Sequence, residues 1–157
     1  MRLLNGISDR LALAGGMLLL ALAGLVTASV AARWLTSRGI AGDFELVQIG
    51  AALAVFAFMP LCQLRGGNLY VDTFTSRLPG RVRGILDRVW ALAYAGVAAL
   101  LAAMMAVGAA ETMASGTRTM VLGVPLAWPI ALAAGLLAWL ALVTAAGAFA
   151  RAGDDPR

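Results

Sequence analysis

Carboxylates are the only groups in this 157-residue chain numerous enough for acid–base or cation chemistry, and there are eight. Three of them, Asp43, Glu45 and Glu111, fall in two short polar stretches and could surround a cation. Each sits at the end of an apolar run, and Arg33, Arg38 and Arg118 lie in the same stretches and compete for the negative charge. Asp43 is also placed to cap a helix, with Glu45 in its first turn, where a carboxylate meets the positive end of the helix dipole. Two readings of the acids therefore stand, helix capping and a share in a charged recognition face.

Other chemistry finds no residues to carry it. The chain has no His, so it lacks the commonest metal ligand, the usual near-neutral proton relay, and any Ser–His–Asp or Cys–His nucleophile. Its one cysteine, Cys62, cannot form an internal disulfide and reads as packing. The adjacent Met104 and Met105 read as adaptable packing rather than a metal site. No glycine-rich phosphate loop appears, and no two carboxylates share a helix face at catalytic spacing. The expectation is a protein that is not an enzyme, with no catalytic or metal-ligating residue and no cofactor.

The elements that position these residues are apolar. Hydrophobic residues make up 62% of the chain and mean hydropathy is +0.89, whereas a soluble domain is about half apolar. Four apolar runs stand out at residues 11–32, 46–64, 89–110 and 126–150. About 20 helical residues cross a bilayer's hydrocarbon core, so each run can span. None holds Asp, Glu, Lys or Arg in its interior. Charge at mid-membrane is costly and marks ion or substrate paths where it occurs. The expected fold is an all-α membrane protein, one four-helix domain over residues 1–157. The first run exceeds the length of a signal-peptide core, so it is expected to be retained as a span.

The loops supply detail. Residues 1–10 read as a short polar tail in which Asn5 or Ser8 could cap the first helix. Trp34 beside Arg33 fits the headgroup level. In the second run, Pro60 is expected to kink the helix, and Gly50 with Ala54 offers a small-residue surface for a neighbouring helix. In the middle loop, 65–88, Val71, Phe74 and Leu78 fall at i, i+3 and i+7, with Asp72 elsewhere on the turn and Pro79 ending it. That pattern predicts a short interfacial helix at about 70–78. Val82, Ile85, Leu86 and Val89 then continue an apolar face into the third span. Residues 121–124 read as an extended strip, and Pro125 and Pro129 sit at the mouth of the fourth span.

All twelve cations are arginine. Nine lie in the N-terminal tail, the middle loop and the C-terminal tail, and three (Arg33, Arg38, Arg118) lie in the first and third loops. The positive-inside rule then places both termini and the middle loop in the cytoplasm. The same arginines flank spans and interleave with no aromatic patch, so they point to membrane lipid and not to nucleic acid.

The ordered loop residues resemble a known family. Arg33-Trp34 is followed by Gly42-Asp43-Phe44-Glu45-Leu46, then Arg65-Gly66-Gly67-Asn68-Leu69-Tyr70-Val71-Asp72, Leu78-Pro79 and Arg81, then Thr119, Leu122-Gly123-Val124-Pro125 and Trp128. This series on four spans resembles the small membrane subunit, DctQ, of the tripartite ATP-independent periplasmic (TRAP) transporters. Family members often have His where this chain has Asn68. The resemblance implies a location in the bacterial inner membrane and two protein partners. One is a large membrane subunit (M type) that carries solute and sodium, and the other is a periplasmic substrate-binding protein. It implies that this chain packs on the large subunit to support sodium-coupled, binding-protein-dependent uptake of an organic acid. Arg33, Arg38, Asp43, Glu45, Glu111 and Arg118 would then form a periplasmic docking face, and Val71, Asp72, Phe74, Leu78 and Pro79 an interfacial or partner-packing segment. Two other classes stay open: a four-helix scaffold or assembly subunit of another membrane complex, and a small self-sufficient exporter. The exporter needs an embedded carboxylate for proton coupling, which no span here has.

Overall fold

The structure is a computed structural model describing residues 2–66 and 80–150. Four helices account for nearly all of them: α1 (Arg2–Thr36), α2 (Asp43–Leu64), α3 (Gly80–Ser115) and α4 (Ala127–Ala150). All four are long and apolar enough to cross a membrane. The anticipated interfacial helix at 70–78, with Val71, Asp72, Phe74, Leu78 and Pro79, lies outside the described residues.

Three boundaries differ from the sequence reading. Residues 2–10 are helical and not a polar tail, because α1 begins at Arg2. No proline interrupts residues 2–10, and Leu3, Leu4 and Ile7 continue the helical pattern. Asn5 and Ser8 are therefore helical residues and not caps. At its other end α3 continues past Glu111 to Ser115, since nothing breaks the helix before Gly116 turns left-handed at φ +65°. Glu111 thus belongs to a helix and not to the third loop. The N-cap of α2 is Gly42, at φ +79°, and Asp43 is the first helical residue. Proline behaves as its position allows. Pro129 falls in the first turn of α4, where no backbone donor is needed, and α2 runs on through the buried Pro60.

The helices pack in the order α1–α2–α4–α3. α2 and α4 are the interior members, and α4 is the more buried: 44% of its apolar window is buried, against 22% for α2 and 17% for α1 and for α3. Its Leu137, Leu140 and Ala141 meet Ala98 and Ala102 of α3, with Phe56, Met59 and Met105 around them. Alanines on α3 let the leucines of α4 approach closely, the usual basis of helix contact in lipid. The α1–α2 contact uses glycine. A Cβ on Gly50 would stand 2.8 Å from Leu22, and one on Gly15 would stand 3.1 Å from Ala57. The Gly50/Ala54 surface expected from the sequence is thus occupied by α1.

One end of the bundle carries the 37–42 and 116–126 connections; here it is termed the loop end. The other, where α1 and α3 begin and α2 and α4 finish, is the terminal end. At 35 and 36 residues, α1 and α3 are each over 50 Å long at about 1.5 Å per residue. α2 and α4, at 22 and 24 residues, are much closer to the thickness of a hydrocarbon core of about 30 Å.

Candidate functional site

The loop end gathers the charged residues singled out above, and Gly42 makes that possible. Its left-handed backbone turns the chain into α2, and its missing side chain leaves room for Leu122, whose Cγ lies 2.3 Å from where a Cβ would be. The first and third loops therefore meet directly. Residues 117–126 close on themselves to present Leu122. Thr119 N donates to Val124 O at 2.9 Å, Leu126 N to Thr117 O at 3.1 Å, and Val124 N to Thr119 Oγ1 at 3.0 Å. Gly123, at φ +65°, provides the reversal. The apolar strip anticipated at 121–124 is thus a closed turn.

Glu45 locks this turn to α2. Its carboxylate accepts from Val121 N at 2.7 Å and from Leu122 N at 3.0 Å. Asp43 performs the matching task toward α1. Ser29 Oγ donates to Asp43 Oδ2, Phe44 N donates to Oδ1 at 2.7 Å, and the Arg33 guanidinium lies 3.8 Å away. Ser29 is fully engaged, because Ile40 N also donates to its hydroxyl at 3.2 Å. Both carboxylates therefore join elements through charge-assisted hydrogen bonds, which are stronger than neutral ones.

The remaining charges separate by what they touch. Arg118 donates to Gly123 O at 3.3 Å, within its own loop. The Arg38 side chain is exposed and makes no hydrogen bond or ion pair among the described residues, and the same is true of Glu111. The three acids do not converge, and no group of His, Cys, Asp and Glu suited to a metal occurs among the described residues.

Sequence reasoning missed three participants. Ser29 precedes Arg33 by four residues, a spacing that puts both on one helix face. Ser8 and Asp9 act at the terminal end. Trp139 Nε1 of α4 donates to the buried Ser8 hydroxyl at 3.1 Å, and Asp9 pairs with Arg65 at 3.0 Å. Reading residues 1–10 as a tail hid both.

These contacts join α1, α2, α4 and the third loop at the bundle ends, and their charged members lie outside the apolar runs 11–32, 46–64, 89–110 and 126–150. A family model described as "Tripartite ATP-independent periplasmic transporters, DctQ component" matches residues 22–152. The chain belongs to the DctQ family. It is a multi-pass membrane component of a TRAP transporter, built of four apolar helices. No match was found among curated proteins or among solved structures. The matched region includes every residue of the loop-end clasp.

Proposed function

We propose that this DctQ chain packs against a large TRAP membrane subunit in the bacterial inner membrane. There it supports sodium-coupled, binding-protein-dependent uptake of an organic acid without moving solute itself. One observation carries the reading. The apolar runs 11–32, 46–64, 89–110 and 126–150 contain no Asp, Glu, Lys or Arg, and Asp43 and Glu45 at the loop end are occupied in joining α1, α2 and the third loop. Desolvating a carboxylate solute or a sodium ion needs fixed polar groups in the membrane, so those groups belong to a partner. The exposed apolar faces of α1 and α3 leave surface for that partner and for lipid.

In this reading the loop end faces the periplasm and the terminal end the cytoplasm, in line with the arginine distribution. The periplasmic docking face then narrows. Asp43 and Glu45 hold the clasp together, Arg33 backs Asp43 while staying exposed, and Arg38, Glu111 and Arg118 are the exposed charges not engaged with another helix. Reconstitution tests the function. The chain alone is expected to give no sodium-driven flux above empty liposomes, and flux is expected once the large subunit and binding protein are added. Flux from the chain alone would refute the proposal. Cysteine labelling tests the orientation. With Cys62 replaced, cysteines at the exposed Ser37 and Ser115 should label from the periplasmic side of intact membranes, and labelling only after permeabilisation would reverse the topology.

A further inference from the structure

The third loop has bonds of its own that owe nothing to α2. Thr119 N donates to Val124 O and Leu126 N to Thr117 O, Val124 N donates to Thr119 Oγ1, the Arg118 guanidinium reaches Gly123 O, and Arg118 and Pro125 pair as an antiparallel bridge. The turn so formed aims two successive backbone N–H groups at one carboxylate. Val121 N meets Glu45 Oε1 at 2.7 Å and Leu122 N meets Oε2 at 3.0 Å. The Thr119 side chain and the Met120 N–H add to the donors on the same group. Successive N–H groups converging in a turn make an anion-binding concavity. We infer that the third loop is a carboxylate-binding site whose resident ligand is Glu45, and that a small free carboxylate of the acetate class takes the site when the Glu45 side chain is withdrawn.

The donors select the class of ligand. All are neutral, so they draw no anion by charge alone and discriminate by geometry. One donor lies on each oxygen, which suits a two-oxygen planar anion better than a spherical one. A carboxamide offers a single acceptor oxygen and would turn its NH2 group against an N–H. Exchange of one carboxylate for another keeps every bond and leaves the charge of the site unchanged.

The site is also ready-made and open to solution. None of the bonds within the loop uses Glu45, and Leu122 rests on Gly42 by packing. Glu45 itself is only partly buried, and Met120 and Val121 beside it are exposed. In the wild-type chain Glu45 is presented by the first turn of α2, so its effective concentration at the loop far exceeds that of a free acid. The tethered side chain therefore keeps the site closed.

Hydrogen exchange of the full chain in micelles, read at the Val121 and Leu122 amides, tests the inference. Glu45→Ala keeps Cβ and removes a CH2–COO⁻ group, which acetate replaces almost atom for atom. The variant should exchange about tenfold faster at these two amides, the weight of a charge-assisted hydrogen bond. Acetate should restore protection saturably, with half the effect below about 100 mM. Chloride and acetamide at the same concentrations should not. Acetate should change neither the wild-type chain, whose site is filled, nor Ser29→Ala, whose lesion lies at the other joint. Thr119 and Leu126, bonded within the loop, should lose less protection in Glu45→Ala than Val121 and Leu122. No slowing by acetate, or equal slowing by chloride or acetamide, would overturn the inference. Equal loss at all four amides would overturn it as well, because the loop would then owe its shape to Glu45.

Discussion

The loop end and the terminal end are both fastened by polar side chains, but by different means. At the loop end two carboxylates accept from three backbone N–H groups and a serine hydroxyl, and the packing of Leu122 on Gly42 shields the join. At the terminal end the Asp9–Arg65 ion pair joins α1 to the residue after α2, between side chains that are 70% and 52% exposed. An exposed pair gains little over water and is screened by salt. A carboxylate bonded to backbone donors leaves those donors unmet when it is removed. The loop end should therefore behave as a fixed frame. The terminal end should depend on helix packing and on the Trp139–Ser8 bond, its ion pair adding little.

Gly42 gives the largest expected effect. Gly42→Val forces a β-branched residue into a left-handed conformation at φ +79° and drives its Cβ into Leu122. The backbone conformation alone costs about 1–3 kcal/mol, and the collision adds to it. A marked fall in thermal midpoint in micelles or nanodiscs is expected, together with loss of α2–loop contact. A midpoint near wild type would mean that the two loops do not meet as described.

Glu45→Gln comes next. It keeps the size of the side chain but removes the charge, and its amide nitrogen cannot accept from a backbone donor. One of Val121 N and Leu122 N loses its partner, so the midpoint should fall, by less than for Gly42→Val. Ser29→Ala should fall in the same range, because it strips Asp43 of a donor and Ile40 N of an acceptor. The distinguishing measurement is limited proteolysis or hydrogen exchange at 117–126. Glu45→Gln should loosen that segment, and Ser29→Ala should leave it protected. Loosening by both would mean the clasp is one cooperative unit and not two joints.

Much of this frame was legible in the sequence and some was not, for identifiable reasons. The four helices follow from uninterrupted apolar runs, which admit no other structure in lipid. The boundaries at 2 and 115 were missed because polar residues were read as loop, whereas a helix ends only where a breaker or a cap ends it. Gly116 ends α3, and nothing ends α1 before Ser37. The roles of Asp43 and Glu45 were half legible. Their place in the first turn of α2 was read from spacing, but their partners are at Ser29 and at Val121 and Leu122, and pairings across 76 residues leave no trace in local pattern. Arg38 and Arg118 lie in the loops, Glu111 lies near the end of α3 and not in the third loop as its polarity suggests, and only the packed structure divides these three from the acids that serve the fold.

Asp9 and Arg65 carry a smaller expectation. Asp9→Asn or Arg65→Gln should cost at most about 1 kcal/mol, and the difference from wild type should shrink further in high salt. Trp139→Phe should cost more than either, because it leaves the buried Ser8 hydroxyl without its donor. If the ion-pair variants prove the more damaging, the contrast between the two ends fails and the terminal end is a second rigid frame.

The smallest effect on stability, and the most specific effect on function, belongs to the exposed cations at the loop end. The Arg38 side chain serves no described contact, and Arg118 touches only its own loop. Arg38→Glu with Arg118→Glu should therefore leave the thermal midpoint and assembly with the large subunit nearly unchanged. If the binding protein docks on this face, reversing two rim charges changes encounter rate and its salt dependence more than the lifetime of the complex. The concentration of binding protein giving half-maximal uptake should rise, most at low ionic strength, and converge on wild type as salt screens both. Glu111→Arg should move it the opposite way or not at all, since it adds to the positive face. A drop in the amount of assembled complex would place these arginines against the large subunit. An unchanged titration with intact assembly would move docking off this chain and leave the loop end as frame alone.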